Sequence, residues 1–220
     1  MAIIHFSFFI YLLLITYYLL LTTHYSLLIT YYSLLITYYL LLNLDTLKQF
    51  DDALALCRGV FEKKLRDYGP SWRILRPAAL TDQLFIKAKR IRSLQVKGNA
   101  MVDEGILPEF IGIVNYAAVG IIQLELGYAD HKDIDNERAL QLYDNAIARA
   151  RELMIAKNHD YDEAWRGMRV LSYDDLILMK IERTKEIEDH QGVTIASEGI
   201  DANYFDMINY AVFAIIKLTE

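Results

Sequence analysis

The chain has 220 residues, 54% hydrophobic and 24% charged, with ten glycines, three prolines and one cysteine. So few turn-forming residues argue against a many-stranded β fold and for long helices. A formal net charge of -6 excludes a general electrostatic grip on nucleic acid, and the lone Cys57 excludes an intrachain disulfide, as suits a reduced, intracellular setting.

Residues 1–44 contain no Asp, Glu, Lys or Arg, and from Leu13 they run in near-identical sevens: LLITYYL, LLTTHYS, LLITYYS, LLITYYL. Length and apolarity qualify the segment as a membrane-spanning helix, for which roughly 20 apolar residues suffice. It is too long for a plain signal peptide and lacks a basic start. If it inserts, Lys48, Arg58, Lys63, Lys64 and Arg66 would keep the following body cytoplasmic. The alternative is a translated short DNA repeat upstream of the genuine start, since no charged e and g positions give the sevens a coiled-coil logic. The expected location is therefore cytoplasmic, with a membrane anchor only if residues 1–44 are genuine.

From residue 45 the chain resembles itself at an offset of 93. Asp51, Arg58, Lys64, Tyr68, Trp72, Arg73, Arg76, Lys87 and Arg90 fall on Asp144, Arg151, Lys157, Tyr161, Trp165, Arg166, Arg169, Lys180 and Arg183. One inserted residue makes the offset 94, and the triplets EGI at 104–106 and NYA at 115–117 then meet their copies at 198–200 and 209–211. Two copies result, 45–126 and 137–220, joined by GYADHKDIDNE. Each predicts three helices. The first covers 46–66 or 137–158, with apolar residues such as Leu47, Phe50, Leu54 and Phe61 at helical spacing. A Trp-Arg loop follows, then a second helix starting near Thr81 or Ser172 as N-cap. The third, after the EGI turn, is apolar nearly all round and belongs at the centre. The expected fold is all-α: a bundle of two pseudo-twofold-related three-helix repeats, preceded by an apolar N-terminal helix.

The repeated cations are the first site candidates. Arg73, Arg76, Lys87 and Arg90, with Arg166, Arg169, Lys180 and Arg183, form a set suited to phosphate, and Lys64 or Lys157 ends the helix before each. A solvated, internally paired charge face is the plainer explanation, against which stands the retention of every member in both copies. Tyr68, Trp72, Tyr161 and Trp165 are base-stacking candidates, or Trp fills the gap between helices. Glu109, Glu198 and Asp206 are metal candidates with magnesium as the ion, although neither copy carries a full carboxylate pair: Gly112 stands where copy two has Asp206, and Asn203 where copy one has Glu109. Glu104 and Asp201 complete the acidic set, and Glu109 and Asp201 also suit a positive helix start. Asn115 and Asn209 lie inside apolar runs and are expected to pair across the pseudo-twofold axis, with reading of a base edge as the sharper alternative.

The stretches KKLRDYGPSWRILRP, LTDQLFIKAKRIRSLQ and VDEGILPEFIGIVNYAAVGIIQL, with KNHDYDEAWRGMR and SEGIDANYFDMINYAVFAIIKL in copy two, resemble the nucleotide modification associated domain 1 family over about 45–220. The resemblance implies a small helical, duplicated protein in the company of nucleotide or DNA base modification, without a defined reaction. A weaker likeness is to all-α nucleotide pyrophosphatases of the MazG type, which use ExxE and ExxD to hold magnesium against a nucleoside triphosphate. Here the second helix carries KxxR where acidic residues are wanted. The expected function is therefore binding of a nucleotide or other phosphorylated small molecule between the halves. The alternatives are a magnesium-dependent nucleoside triphosphate pyrophosphohydrolase and a non-catalytic helical interaction module.

Overall fold

A computed structural model describes residues 2–97, 105–195 and 198–220, without the side chains of 2–9, 39, 40 and 42–44. It divides into two compact units, Met1–Lys48 and Gln49–Glu220. The first helix, α1 (Ala2–Tyr68), contributes to both.

Within the first unit the stretch Ile10–Tyr38 is long and apolar enough to cross a membrane, with mean hydropathy 1.6 and no residue buried by protein. The hydroxyls of Thr16, Thr22, Thr23, Thr30 and Thr37 donate to carbonyls three or four residues earlier, so these hydroxyls find partners within the helix.

The second unit is built of helices joined by loops, with no strand among its described residues. The end of α1 leads through a 3-10 turn (Ser71–Ile74) into α2 (Pro77–Lys97) and α3 (Leu107–Leu126). Then α4 (Asn136–Tyr161), a second 3-10 turn (Ala164–Gly167), α5 (Val170–Asp189) and α6 (Ile200–Thr219) repeat the order. The all-α, duplicated architecture agrees with the sequence expectation. The second helix of each copy begins earlier than expected, at Pro77 and Val170. Proline, whose fixed φ and missing N–H suit the first helical position, starts α2 before Thr81 can cap it. Thr81 instead lies inside the helix and donates to Glu188 Oε1 at 2.7 Å.

The two nearly all-apolar helices, α3 and α6, pack on each other at the centre. Leu107–Leu126 also meets the membrane-helix criterion of length and composition, but two-thirds of it is buried, as befits a core helix. Gly120 permits the close approach: a Cβ there would lie 2.7 Å from the ring of Tyr204, which is itself fully buried. Around this centre α2 packs on α3, α5 on α6, α2 on α5, and α4 on both α3 and α6.

The loops carrying the Trp-Arg motif are built alike from different residues. After α1 the chain turns through Gly69 at φ 69°, and after α4 through Asp162 at φ 49°. In the first loop the Gln123 amide donates to the carbonyls of Trp72, Arg73 and Leu75. In the second, Lys217 takes the Gln123 place and donates to the Arg166 carbonyl at 2.6 Å. Each loop is thus pinned to the last turns of its own central helix, which fixes where Trp72 and Trp165 enter the core.

Candidate functional site

Each repeat encloses a cavity between its first helix, its Trp-Arg turn and its third helix. The first has a volume of 530 Å³ and is lined by Lys64, Tyr68, Trp72, Lys87, Gly112, Asn115 and Tyr116 among others. The second, 300 Å³, is lined by the equivalents Lys157, Tyr161, Trp165, Asp206, Asn209 and Tyr210, with Phe213 in place of Val119. Tyr68, Trp72, Tyr161 and Trp165, singled out as aromatic candidates, therefore all border a cavity.

The repeats place their carboxylate at different positions, Glu109 in the first and Asp206 in the second, with Asn203 and Gly112 at the matching places. In the second repeat the Asp206 carboxylate sits between two lysines, 2.5 Å from Lys180 Nζ and also accepting from Lys157 Nζ. Burial is the largest single influence on the Lys157 ammonium and lowers its pKa, but the hydrogen bond to Asp206 together with the nearby negative charge of Asp206 outweighs it, and the pKa is raised. In the first repeat that position is Gly112, and the Lys87 side chain lies across it: a Cβ there would be 2.5 Å from Lys87 Cε. Lys87 Nζ is 3.3 Å from Glu109 Oε2 and 5.7 Å from the Tyr116 ring centroid, and Arg90 donates to the same Glu109. Lys64 is exposed and has no ion-pair partner among the described residues.

The amides differ as well. Asn115 donates through Nδ2 to the Cys57 carbonyl at 3.1 Å and accepts from the Tyr143 hydroxyl at 2.7 Å. Neither atom of the Asn209 amide has a partner among the described residues, although the residue is 95% buried. The expected pairing of Asn115 with Asn209 does not form, because Asn115 is already held from α1 and α4. Trp72 adds a second orphan: its indole N–H is buried without an acceptor, whereas that of Trp165 donates to Glu163 Oε2 at 3.1 Å.

The remaining cations scatter. Arg73, expected to hold phosphate, is instead buried, donating to both carboxylate oxygens of Asp133 at 2.7 and 2.9 Å and to the Gly127 carbonyl. The guanidinium holds the Asp133 carboxyl below its ordinary pKa. Arg166 is likewise engaged, with Glu163 at 2.8 Å, Gln49 at 2.9 Å and the Trp165 ring 4.4 Å away. Both arginines staple their own loops. Arg76 lies beside Tyr128, and Arg169 is exposed at the start of α5. Arg183 borders a separate groove with Lys180 and Glu198. The expected eight-cation cluster is therefore not assembled; Lys87 is the member that reaches the first cavity, joined there by Lys64.

The acidic candidates do not fit a magnesium site. Glu109 is held between Lys87 and Arg90, Asp206 between two lysines, and Glu198 lies in the separate groove. Among the described residues no three His, Cys, Asp or Glu side chains gather closely enough for a metal ion. Asn203, in the first turn of α6, donates to the Gly199 carbonyl, and Glu104 lies outside the described residues.

Sequence reasoning underweighted Lys64, Gly112 and Tyr116. The signal was available at the 94-residue offset, where a glycine faces an aspartate in otherwise matching surroundings.

Among known proteins, one family model matches the chain, described as nucleotide modification associated domain 1, over residues 64–124 and again over 157–218, consistent with two tandem copies. No curated protein and no solved structure matches.

Proposed function

The chain belongs to the nucleotide modification associated domain 1 family, and we propose from that premise that it binds a nucleotide, or a close phosphorylated relative, in the cavity of the first repeat. The observation that carries the proposal is Lys64, without an ion-pair partner among the described residues, in one 530 Å³ cavity with Lys87, which shares Glu109 with Arg90, and with Tyr68, Trp72 and Tyr116. Two ammonium groups favour phosphate, and aromatic walls favour a base. The volume falls within the ordinary range for small-molecule sites, about 300–1,000 Å³. The unmet Trp72 indole N–H offers a donor to a ligand carbonyl or ring nitrogen.

Trp72 and Trp165 are the two tryptophans of the chain and each lines one cavity, so either can be read alone. In the full chain carrying W165F, Trp72 emission should change saturably with nucleoside triphosphates, in the presence of EDTA as well as magnesium. Lys64→Ala and Lys87→Ala should each weaken binding about tenfold, equivalent to about 1.4 kcal/mol. Unchanged affinity in the double variant would overturn the proposal.

A further inference from the structure

We propose that the cavity of the second repeat is a site for an uncharged, planar heterocycle, a nucleobase or nucleoside, gripped at its edge by the Asn209 amide. The ligand class is shared with the first cavity, but the site and its chemistry are different.

Asn209 presents a buried donor and a buried acceptor side by side, neither of them satisfied, on the wall of a 300 Å³ cavity. Buried amides normally find partners, and one left unmet costs stability. Its twin shows what is missing. Asn115 is satisfied by the Cys57 carbonyl and the Tyr143 hydroxyl. By the repeat, the residues matching Cys57 and Tyr143 are Ala150 and Phe50. Phe50 has no hydroxyl, and its ring is turned edge-on to Phe213, 5.7 Å away. The hydroxyl is thus missing at Phe50, the backbone carbonyl of Ala150 does not bond the amide, and both amide atoms are left without a protein partner among the described residues in a residue on the cavity wall.

Charge decides the class of ligand. Lys157 and Lys180 are both hydrogen-bonded to Asp206, so the second cavity holds one net positive charge spread over three mutually bonded groups and no ammonium free of a carboxylate, a poorer grip for a phosphate than for an uncharged ring. What it offers is one amide edge and aromatic walls from Tyr161, Tyr210 and Phe213. An amide matches the adjacent donor and acceptor that a nucleobase carries, as asparagine does when it reads adenine. Trp165 supplies a wall, but its ring is already engaged, with Phe213 stacked on it at 4.6 Å and the Arg166 guanidinium 4.4 Å from its centroid. Recognition is therefore through the edge of the heterocycle, and the volume suits one base or nucleoside.

The test uses the full chain in a nonionic detergent with W72F, so that Trp165 alone reports. Adenosine, guanosine, cytidine and uridine are titrated separately. At least one should produce a saturable change in Trp165 emission, and its triphosphate should bind no more tightly. Asn209→Leu removes the amide at nearly constant volume and should weaken binding at least tenfold while leaving cooperative melting intact. Phe50→Tyr supplies the missing hydroxyl from within and should compete with the ligand, giving the same loss by an independent route should the leucine variant melt without cooperativity. No response to any nucleoside, or the same response in both variants, would overturn the proposal and leave the amide as a residue of repeat divergence. Because triphosphates are read at Trp72 and nucleosides at Trp165, either cavity's assignment can fail without the other.

Discussion

Arg58 on α1 grips Asp144 on α4 through two hydrogen bonds, at 2.8 and 3.0 Å, and the reciprocal pair Arg151 with Asp51 repeats the grip at 2.6 and 2.9 Å. Arg58 and Arg151 are repeat equivalents, as are Asp51 and Asp144. Each copy thus contacts the other through the same two residues with their roles exchanged, the signature of an interface related by a twofold axis. Both arginine pKa values are raised, the carboxylate hydrogen bond being the main cause.

These pairs are half-exposed, so their energetic worth is small. Arg58→Ala and Arg151→Ala should each cost less than about 1 kcal/mol, with nearly additive effects in the double variant. Urea titrations of the four proteins in a double-mutant cycle measure this; a cost of several kcal/mol from either single change would mean the pairs organise the fold.

Asp206→Gly places in the second cavity the glycine that the first has at Gly112, and since Asn203 stands where the first repeat has Glu109, no carboxylate takes over. Buried Lys180 loses its counterion, and stability should fall by on the order of 3 kcal/mol. Pyrophosphate should then raise the melting temperature of the variant more than that of the parent, because an added anion replaces the lost carboxylate. Equal shifts in the two proteins would show that the lysines do not form an anion site once freed.

Asp174 on α5 is buried with one carboxylate oxygen unpartnered, and Arg92 is 3.9 Å from the other. Burial pushes its pKa up to about 7, against the pull of Arg92 and Lys89, with Asp175 adding to the rise. A raised acid binds its proton more tightly in the native state, so its burial costs nothing below the unfolded value near 4. Stability is then lost as pH rises from about 4 to about 7. Asp174→Asn should leave stability unchanged at pH 4 and add a few kcal/mol at pH 8, measured as the difference between paired thermal melts. A constant difference across that range would rule out titration of Asp174 as the cause.

Gly120 faces the Tyr204 ring across the central α3–α6 contact, and the ring has no free space to retreat into. Gly120→Ala should destabilise by about 1–3 kcal/mol through overpacking, despite the better helix propensity of alanine. Chemical denaturation gives the value directly; a stabilised variant would mean that α3 and α6 can separate at no cost.

Repetition made the fold legible. The 93-residue offset and the three- and four-residue apolar spacing set the helices, their order and the central place of the NYA helices, because burial of an apolar face follows from periodicity alone. The same offset marked Trp72 and Trp165, which do border the cavities. It misdirected at Arg73 and Arg166, since retention in both copies marks any indispensable contact. Each of these arginines is engaged by protein partners, and a charge pattern cannot say whether the partner is a ligand or an aspartate sixty residues away, as Asp133 is for Arg73.

The sequence by itself determined the helical class, the duplication, and the positions at which the copies differ, including Gly112 against Asp206 and Phe50 against Tyr143. Those follow from local periodicity and from comparing the chain with itself. The tertiary structure alone decided which cations are open and which amide is left unmet. Whether a lysine is neutralised or an amide satisfied depends on atoms brought within about 3 Å from distant parts of the chain, as Asp206 is to Lys157 and Tyr143 to Asn115.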